Sequence, residues 1–396
     1  MIVEPKVREF ICTTAHPDGC MENVNRQISY VKSLSFPSEA TRNAKRVLVI
    51  GASTGYGLAS RITAAFGCHA ATIGIMFEKP SNGKRTATPG WYNTAAFEKA
   101  ASAEGLYAKS INGDAFSSSI KEQTIDLIKK DLGQIDLVIY SLAAPRRTVA
   151  DGTVYTSSLK TTSSVFTEKS LDLKNNVITQ KSVEPATKEE LEGTIKVMGG
   201  EDWMDWISAL SKAGVLSKNS MTVAYSYIGP KLTYPIYFDG TIGQAKHHLT
   251  KTAKEISETF SEVNAYVSVN KALVTQASSA IPIVPLYFAI LYKVMKDQGT
   301  HEGCIEQISR LFREKLFQAD LASDEEGLLR MDDWELDEKV QSKVMEIWNQ
   351  ISTENLFSLS DIDGYWEDFY HMFGFHFDSV DYTKDVDLCV EIPSIN

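Results

Sequence analysis

Apolar and polar positions in the first third of the chain fall into short runs whose period switches between strand and helix. Arg46-Val47-Leu48-Val49-Ile50 is a β-branched apolar run closed by Gly51, the pattern of a strand buried on both faces. Leu58 to Phe66 follows at helical spacing, Ala71 to Phe77 reads as a second strand ending at Glu78, and a helix is expected through Ala95 to Ala103. A strand near Tyr107 to Ile111, a helix around Ile120 to Lys130 and a strong apolar run from Ile135 to Tyr140 extend the series. This alternation predicts an α/β chain with a Rossmann-like, doubly wound parallel sheet.

From Asp151 to about Val183 the helical pattern gives way to short Thr/Ser/Val-rich pieces between Asp-Gly and Asn-Asn turns, which reads as a β-ribbon insertion. Thr187 with Glu190 forms a capping box ahead of a helix running towards Lys212, with a break at Gly199-Gly200. Strands at Met221 to Tyr227 and Ala265 to Val269 flank a helix from about Ile242 to Phe260, so the sheet resumes. Additional C-terminal helices are expected through Leu286 to Lys296 and Ile305 to Phe317, before an acidic region carrying Trp334, Trp348 and Trp366.

Composition narrows the function classes. The chain has 396 residues, 43% hydrophobic and 23% charged, an ordinary globular balance able to bury a large core. A net charge of −11 argues against nucleic acid or an anionic membrane as the main partner. Leu273 to Tyr292 carries no charge, yet Gln276, Pro282 and Pro285 mark it as a buried segment rather than a membrane span. The N-terminus lacks the features of a targeting peptide, which points to a cytoplasmic protein. Five scattered cysteines fit reduced thiols, and Cys12, His16 and Cys20 match no metal-ligand spacing, so no metal is expected.

Gly51-Ala52-Ser53-Thr54-Gly55-Tyr56-Gly57 lies between a strand and a helix, where backbone N–H groups and the positive helix end can hold a pyrophosphate. Glu78, at the end of the second strand, can accept from the adenosine ribose hydroxyls and would repel a 2′-phosphate, favouring NADH over NADPH. Asp114-Ala115 and Ser141-Leu142-Ala143 close later strands on the same edge, the first placed for the adenine and the second for the nicotinamide half.

Downstream, Tyr237 and Lys246 are separated by eight residues. A YxxxK pair shares one helical face, whereas nine steps do not, so Tyr237 must precede the helix or start it and Lys246 must lie in its early turns. The residue types suit reduction of an enoyl thioester. Hydride on the β-carbon develops an enolate oxygen, a tyrosine hydroxyl can donate to it, and a neighbouring ammonium can hold the nicotinamide ribose and lower the tyrosine pKa. Tyr225 and Tyr227 are candidates for a second hydroxyl on that oxygen.

The blocks Gly51 to Gly67, Pro89-Gly-Trp-Tyr-Asn93, Val197-Met-Gly-Gly-Glu-Asp-Trp203, Ala224-Tyr-Ser-Tyr-Ile-Gly229 and the Tyr237/Lys246 pair together resemble the FabV/TER type of trans-2-enoyl-acyl-carrier-protein or trans-2-enoyl-CoA reductase. The likeness runs from Met1 to the Gly374-Phe375 region. It implies a monomeric NADH-dependent reductase of fatty-acid synthesis or acyl-CoA metabolism, acting on an enoyl-CoA or an enoyl-acyl carrier protein. It also implies Tyr237 as proton donor, Tyr227 as substrate contact and Lys246 as cofactor contact. Gly51, Ala52, Ser53, Thr54, Gly55, Tyr56, Phe77, Glu78, Asp114, Ala115, Leu142, Ala143, Leu273, Val274 and Thr275 match its other cofactor positions. Ile281 to Met295 would then wall the acyl channel.

The expected organisation is a single large domain, with an N-terminal cap over 1–45, a dinucleotide-binding half over 46–150, the ribbon over 151–183 and a catalytic, substrate-binding half over 184–396. Two other readings use the same cradle. A 3-oxoacyl (carbonyl) reductase of the short-chain class would want YxxxK and an upstream serine, and a non-catalytic dinucleotide-binding sensor would not need Tyr237 or Lys246.

Overall fold

The computed structural model describes residues 1–8, 11–275, 278, 281–318, 321 and 323–395. Seven strands make the central sheet: β1 (Arg46–Ile50), β2 (Ala71–Met76), β3 (Ala108–Asn112), β4 (Ile135–Tyr140), β5 (Leu216–Ser226), β6 (Val263–Val269) and β7 (Leu328–Arg330). Their spatial order is β7-β6-β5-β4-β1-β2-β3, and every pairing is parallel. The order reverses between β1 and β4, whose register sets Val47 opposite Leu137 and Ile50 opposite Tyr140. That reversal opens a crevice beyond the strands' carboxyl ends, where open α/β sheets bind ligands.

The longer helices are α1 (Pro17–Lys32), α2 (Gly55–Ile62), α3 (Pro89–Ala103), α4 (Ser118–Asp131), α5 (Lys188–Met198), α6 (Glu201–Lys212), α7 (Thr241–Thr259), α8 (Val284–Gln298), α9 (Cys304–Arg310), α10 (Glu338–Gln350) and α11 (Ile362–His371). Both faces of the sheet are covered. Val47, Val49, Leu137 and Ile139 pack with Leu58, Ile62, Phe97 and Phe312 on one side, while Leu48, Ile50, Val138 and Tyr140 pack with Trp203, Trp206 and Leu249 on the other. The all-apolar β1 core, with Val47 to Ile50 fully buried, is what a strand enclosed on both faces requires.

The expected elements are present, with shifted ends. Pro89 starts α3 as its first helical residue, where a missing N–H costs nothing, so this helix begins well before Ala95. The helix after the glycine loop begins at Gly55 and passes into a π-turn over Thr63–Gly67. β5 begins at Leu216, earlier than its apolar run, with an irregularity between Leu216 and Met221. Thr187 and Glu190 form the reciprocal capping box of α5, and α6 follows directly after Gly200. The insertion is two antiparallel hairpins, Arg146–Thr148 with Val154–Thr156 and Phe166–Asp172 with Val177–Val183, neither joined to the central sheet.

The uncharged C-terminal segment becomes α8, buried on every side from Val284 through Tyr292 and packed with Val344, Trp348 and Phe369 of α10 and α11. A helix apolar all round belongs in a core. Among the described residues no helix is long and apolar enough to cross a membrane. His16 acts as a cap: its Nδ1 accepts from the Gly19 N–H at 3.2 Å at the start of α1, and burial lowers its pKa. Among the described residues no group of three or more His, Cys, Asp or Glu side chains is arranged to hold a metal.

Candidate active site

The turn from β1 into α2 is built for close approach. Gly51 has φ +87°, and a Cβ there would run into the Ser141 carbonyl oxygen on β4's exit, while one at Gly57 would meet the Gly51 carbonyl. The loop is tethered from behind. The Gly51 and Ala52 N–H groups both donate to the Ile75 carbonyl at 2.9 Å, and the buried Asn93 amide donates to the Ser53 carbonyl at 3.1 Å. A cavity of about 710 Å³ lies over this turn. Its walls carry Gly51, Ser53, Thr54, Gly55, Tyr56, Phe77, Glu78, Asp114, Ala115, Leu142, Ala143, Leu273, Val274 and Thr275. Ala52, Tyr227, Tyr237 and Lys246 are not among its lining residues; Ala52 is buried behind the loop, 2% exposed.

Glu78 is fixed at the rim. Its Oε1 accepts from Ser53 Oγ at 2.6 Å, and its backbone exchanges two hydrogen bonds with the Asn112 side chain at 2.8 and 2.9 Å. Phe77 beside it is 76% exposed, an open ring face at the cavity wall. The geometry fits a dinucleotide: a glycine turn with its N–H groups free of side-chain caps, a carboxylate at the ribose end and a volume in the ligand-pocket range.

The loop after β6 closes the far wall through several anchors. Tyr56 Oη donates to the Lys271 carbonyl at 2.8 Å, the Lys271 N–H donates to Gln307 Oε1 at 2.9 Å, and the Val274 N–H donates to Tyr292 Oη at 3.0 Å. Tyr56 thus joins the glycine turn to this loop. Sequence spacing contained no sign of this bracing.

Tyr237 precedes α7, which begins at Thr241 behind Gly240, and Lys246 lies in its second turn. The Gly243 N–H donates to the Tyr237 carbonyl at 2.9 Å, and a Cβ at residue 243 would strike that backbone, so glycine permits the tight start. The rings of Tyr237 and Tyr227 meet edge to face with centroids 4.8 Å apart. Lys246 Nζ donates to the Tyr225 carbonyl at 3.0 Å, and burial lowers its pKa from 10.5 to about 8.

Two expectations need correction. Tyr225 is not available to a substrate oxygen, because its hydroxyl pairs with Ser60 Oγ of α2 at 2.5 Å and its ring packs on Tyr56. Nor does Lys246 lower the tyrosine pKa in this arrangement. Burial alone sets the shift and pushes the Tyr237 hydroxyl well above its ordinary value, so it holds its proton at neutral pH.

Glu335 carries no signal in the sequence that would have found it. It is fully buried, and its carboxylate accepts from the Ala272 N–H at 2.7 Å, Tyr287 Oη at 2.7 Å and Tyr227 Oη at 3.1 Å. In the sequence it stands within Asp332-Asp333-Trp334-Glu335, which reads as an exposed acidic stretch. The block ending at Trp203 proves partly architectural. Trp203 Nε1 donates to Thr222 Oγ1 at 2.8 Å, and Asp202 holds Lys121 at 2.7 Å and Tyr140 Oη at 3.1 Å.

Comparison with known proteins agrees with this geometry. Residues 85–317 match the trans-2-enoyl-CoA reductase catalytic region, residues 2–83 the NAD(P)H-binding domain of trans-2-enoyl-CoA reductase, and residues 323–386 an enoyl reductase FAD-binding domain. The chain is 56% identical to an NADH enoyl-[acyl-carrier-protein] reductase of Flavobacterium johnsoniae over the full length of both. It is 53% identical to an NADH trans-2-enoyl-CoA reductase of Ruminiclostridium cellulolyticum, again over both full lengths. The solved trans-2-enoyl-CoA reductase of Clostridium acetobutulicum in complex with NADH superposes with a TM-score of 0.95 at 46% identity, covering 99% of this chain and 100% of that one. In the third segment, the groove lined by Asp363, Glu367 and Asp378 carries three carboxylates, which would repel the pyrophosphate of a flavin dinucleotide.

Proposed function

The chain belongs to the trans-2-enoyl-CoA reductase family, and from that premise we propose that it uses NADH to saturate the trans-2 double bond of enoyl thioesters, with Tyr237 as the proton donor. The observation that carries this reading is the contact of the Tyr237 and Tyr227 rings, centroids 4.8 Å apart, ahead of α7, on a chain whose glycine turn and Glu78 line one cavity.

NADH, when bound, supplies hydride to the β-carbon of the thioester. The protein's own residues manage the charge and the proton. Negative charge moves to the thioester oxygen as an enolate, and the Tyr237 hydroxyl, kept protonated by burial, donates a hydrogen bond there and assists protonation of the α-carbon. Lys246, cationic below about pH 8, would contact the nicotinamide ribose. Gly51 to Tyr56 would hold the pyrophosphate, Phe77, Glu78, Asp114 and Ala115 the adenosine half, and Leu142, Ala143 and Leu273 to Thr275 the nicotinamide half. Tyr227 would contact the thioester. The buried, apolar α8 supports the acyl side as its wall.

The same reading has one large domain working as a cytoplasmic monomer on an enoyl-CoA or enoyl-acyl carrier protein. NADH oxidation followed by absorbance, with crotonyl-CoA and acetoacetyl-CoA in parallel, tests the reaction class on protein whose mass is measured in the same buffer by light scattering. Turnover of crotonyl-CoA by a species of single-chain mass is expected. Turnover of acetoacetyl-CoA alone would make the protein a carbonyl reductase, silence with both would favour the sensor, and a mass of two chains would refute the monomer.

A further inference from the structure

We infer that Glu335 is a positioning residue for the reaction: its carboxylate fixes the direction of the Tyr227 hydroxyl, so that Tyr227 meets the site as a hydrogen-bond acceptor and leaves Tyr237 as the tyrosine that donates to the enolate. The inference rests on the enoyl reductase reading above and adds a residue to it.

Glu335 lies between β7 and α10, far in sequence from both tyrosines, and is fully enclosed. An ionised carboxylate accepts and cannot donate. The three groups around it are all donors or able to donate: the Ala272 N–H at 2.7 Å on Oε2, with Tyr287 Oη at 2.7 Å and Tyr227 Oη at 3.1 Å on Oε1. Gln341 Nε2 donates to Tyr287 Oη at 3.1 Å, which turns that hydroxyl's own proton towards Glu335. Tyr227 therefore directs its O–H at Glu335, and its ring meets that of Tyr237 edge to face with centroids 4.8 Å apart. Burial raises the Glu335 pKa, and the Ala272 N–H and the nearby Lys271 ammonium oppose that shift. Ala272 immediately precedes the loop Leu273 to Thr275 on the cavity wall, so one carboxylate registers the tyrosine against that wall.

Glu335→Gln separates direction from bulk. Its amide oxygen can still accept from the Ala272 N–H, while its NH₂ faces the tyrosines and forces the Tyr227 hydroxyl to accept. The test is a double-mutant cycle of wild type, Glu335→Gln, Tyr227→Phe and the pair, read for kcat with crotonyl-CoA and for NADH affinity by fluorescence titration. Glu335→Gln should lower kcat roughly tenfold and leave NADH affinity within about threefold. In the Tyr227→Phe background, which has no hydroxyl to direct, the same change should cost little further, the non-additivity expected of a shared unit. Losses that multiply in the double variant, or a loss confined to NADH affinity, would overturn the inference. If Glu335→Gln does not fold, as circular dichroism would report, Glu335→Asp in the same cycle keeps the charge and withdraws it, with the same two outcomes. A wild type inactive on crotonyl-CoA would instead refute the enoyl reductase reading itself.

Discussion

Lys246 carries a sharp expectation at the scale of one residue. Burial brings its folded value from 10.5 to about 8, so the ammonium is present below that pH and is lost as pH rises through it. Because kcat/KM reports the free enzyme's groups, kcat/KM for NADH should fall on the alkaline side of pH about 8. Lys246→Arg keeps its cation throughout that range and should flatten the limb, whatever it does to the maximum rate. A limb unchanged by arginine would assign the titration elsewhere. Glu78 shows what side-chain chemistry alone can and cannot reveal: its place at a strand end was legible from the apolar run before it, but its bond from Ser53 Oγ at 2.6 Å required the fold.

Elements were legible where their pattern was long and local. The runs of β1, β2 and β4 and the capping box at Thr187 stand in the structure where the sequence places them, because burial on both faces leaves no polar position to blur a strand and a capping box is a local bond. Short or irregular elements were not. β7 has only three residues, too few to show a period, and the helix expected through Ala95 to Ala103 opens earlier, at Pro89. The turn from β1 into α2 yields a prediction at this scale. Gly51→Ala forces a Cβ into φ +87° against the Ser141 carbonyl, which should destabilise the fold by about 1–3 kcal/mol and displace the cradle. Thermal unfolding should show a lower Tm and titration a weaker affinity for NADH. An alanine variant with wild-type values in both would mean the turn relaxes without consequence.

Across the whole molecule, function depends on distant segments converging on one crevice. The central sheet draws β1 and β2 from residues 2–83, β3 to β6 from residues 85–317 and β7 from residues 323–386, so all three matched segments share it. That convergence explains which parts of the site the sequence hid. The cradle, Tyr237 and Lys246 are announced by local motifs, whereas Tyr56 on the Lys271 carbonyl and Glu335 beneath Tyr227 join residues 215 and 108 positions apart. The net charge of −11 likewise conceals its arrangement, since Asp332 and Glu335 are wholly buried among their partners rather than solvated.

The most direct test of the account is the steady-state rate of crotonyl-CoA reduction by Tyr237→Phe, with NADH affinity measured on the same protein. Loss of the hydroxyl with the ring retained should lower kcat by roughly two to four orders of magnitude while NADH binds as in the wild type. A phenylalanine variant that reduces crotonyl-CoA at the wild-type rate would contradict the assignment of Tyr237 as the proton donor.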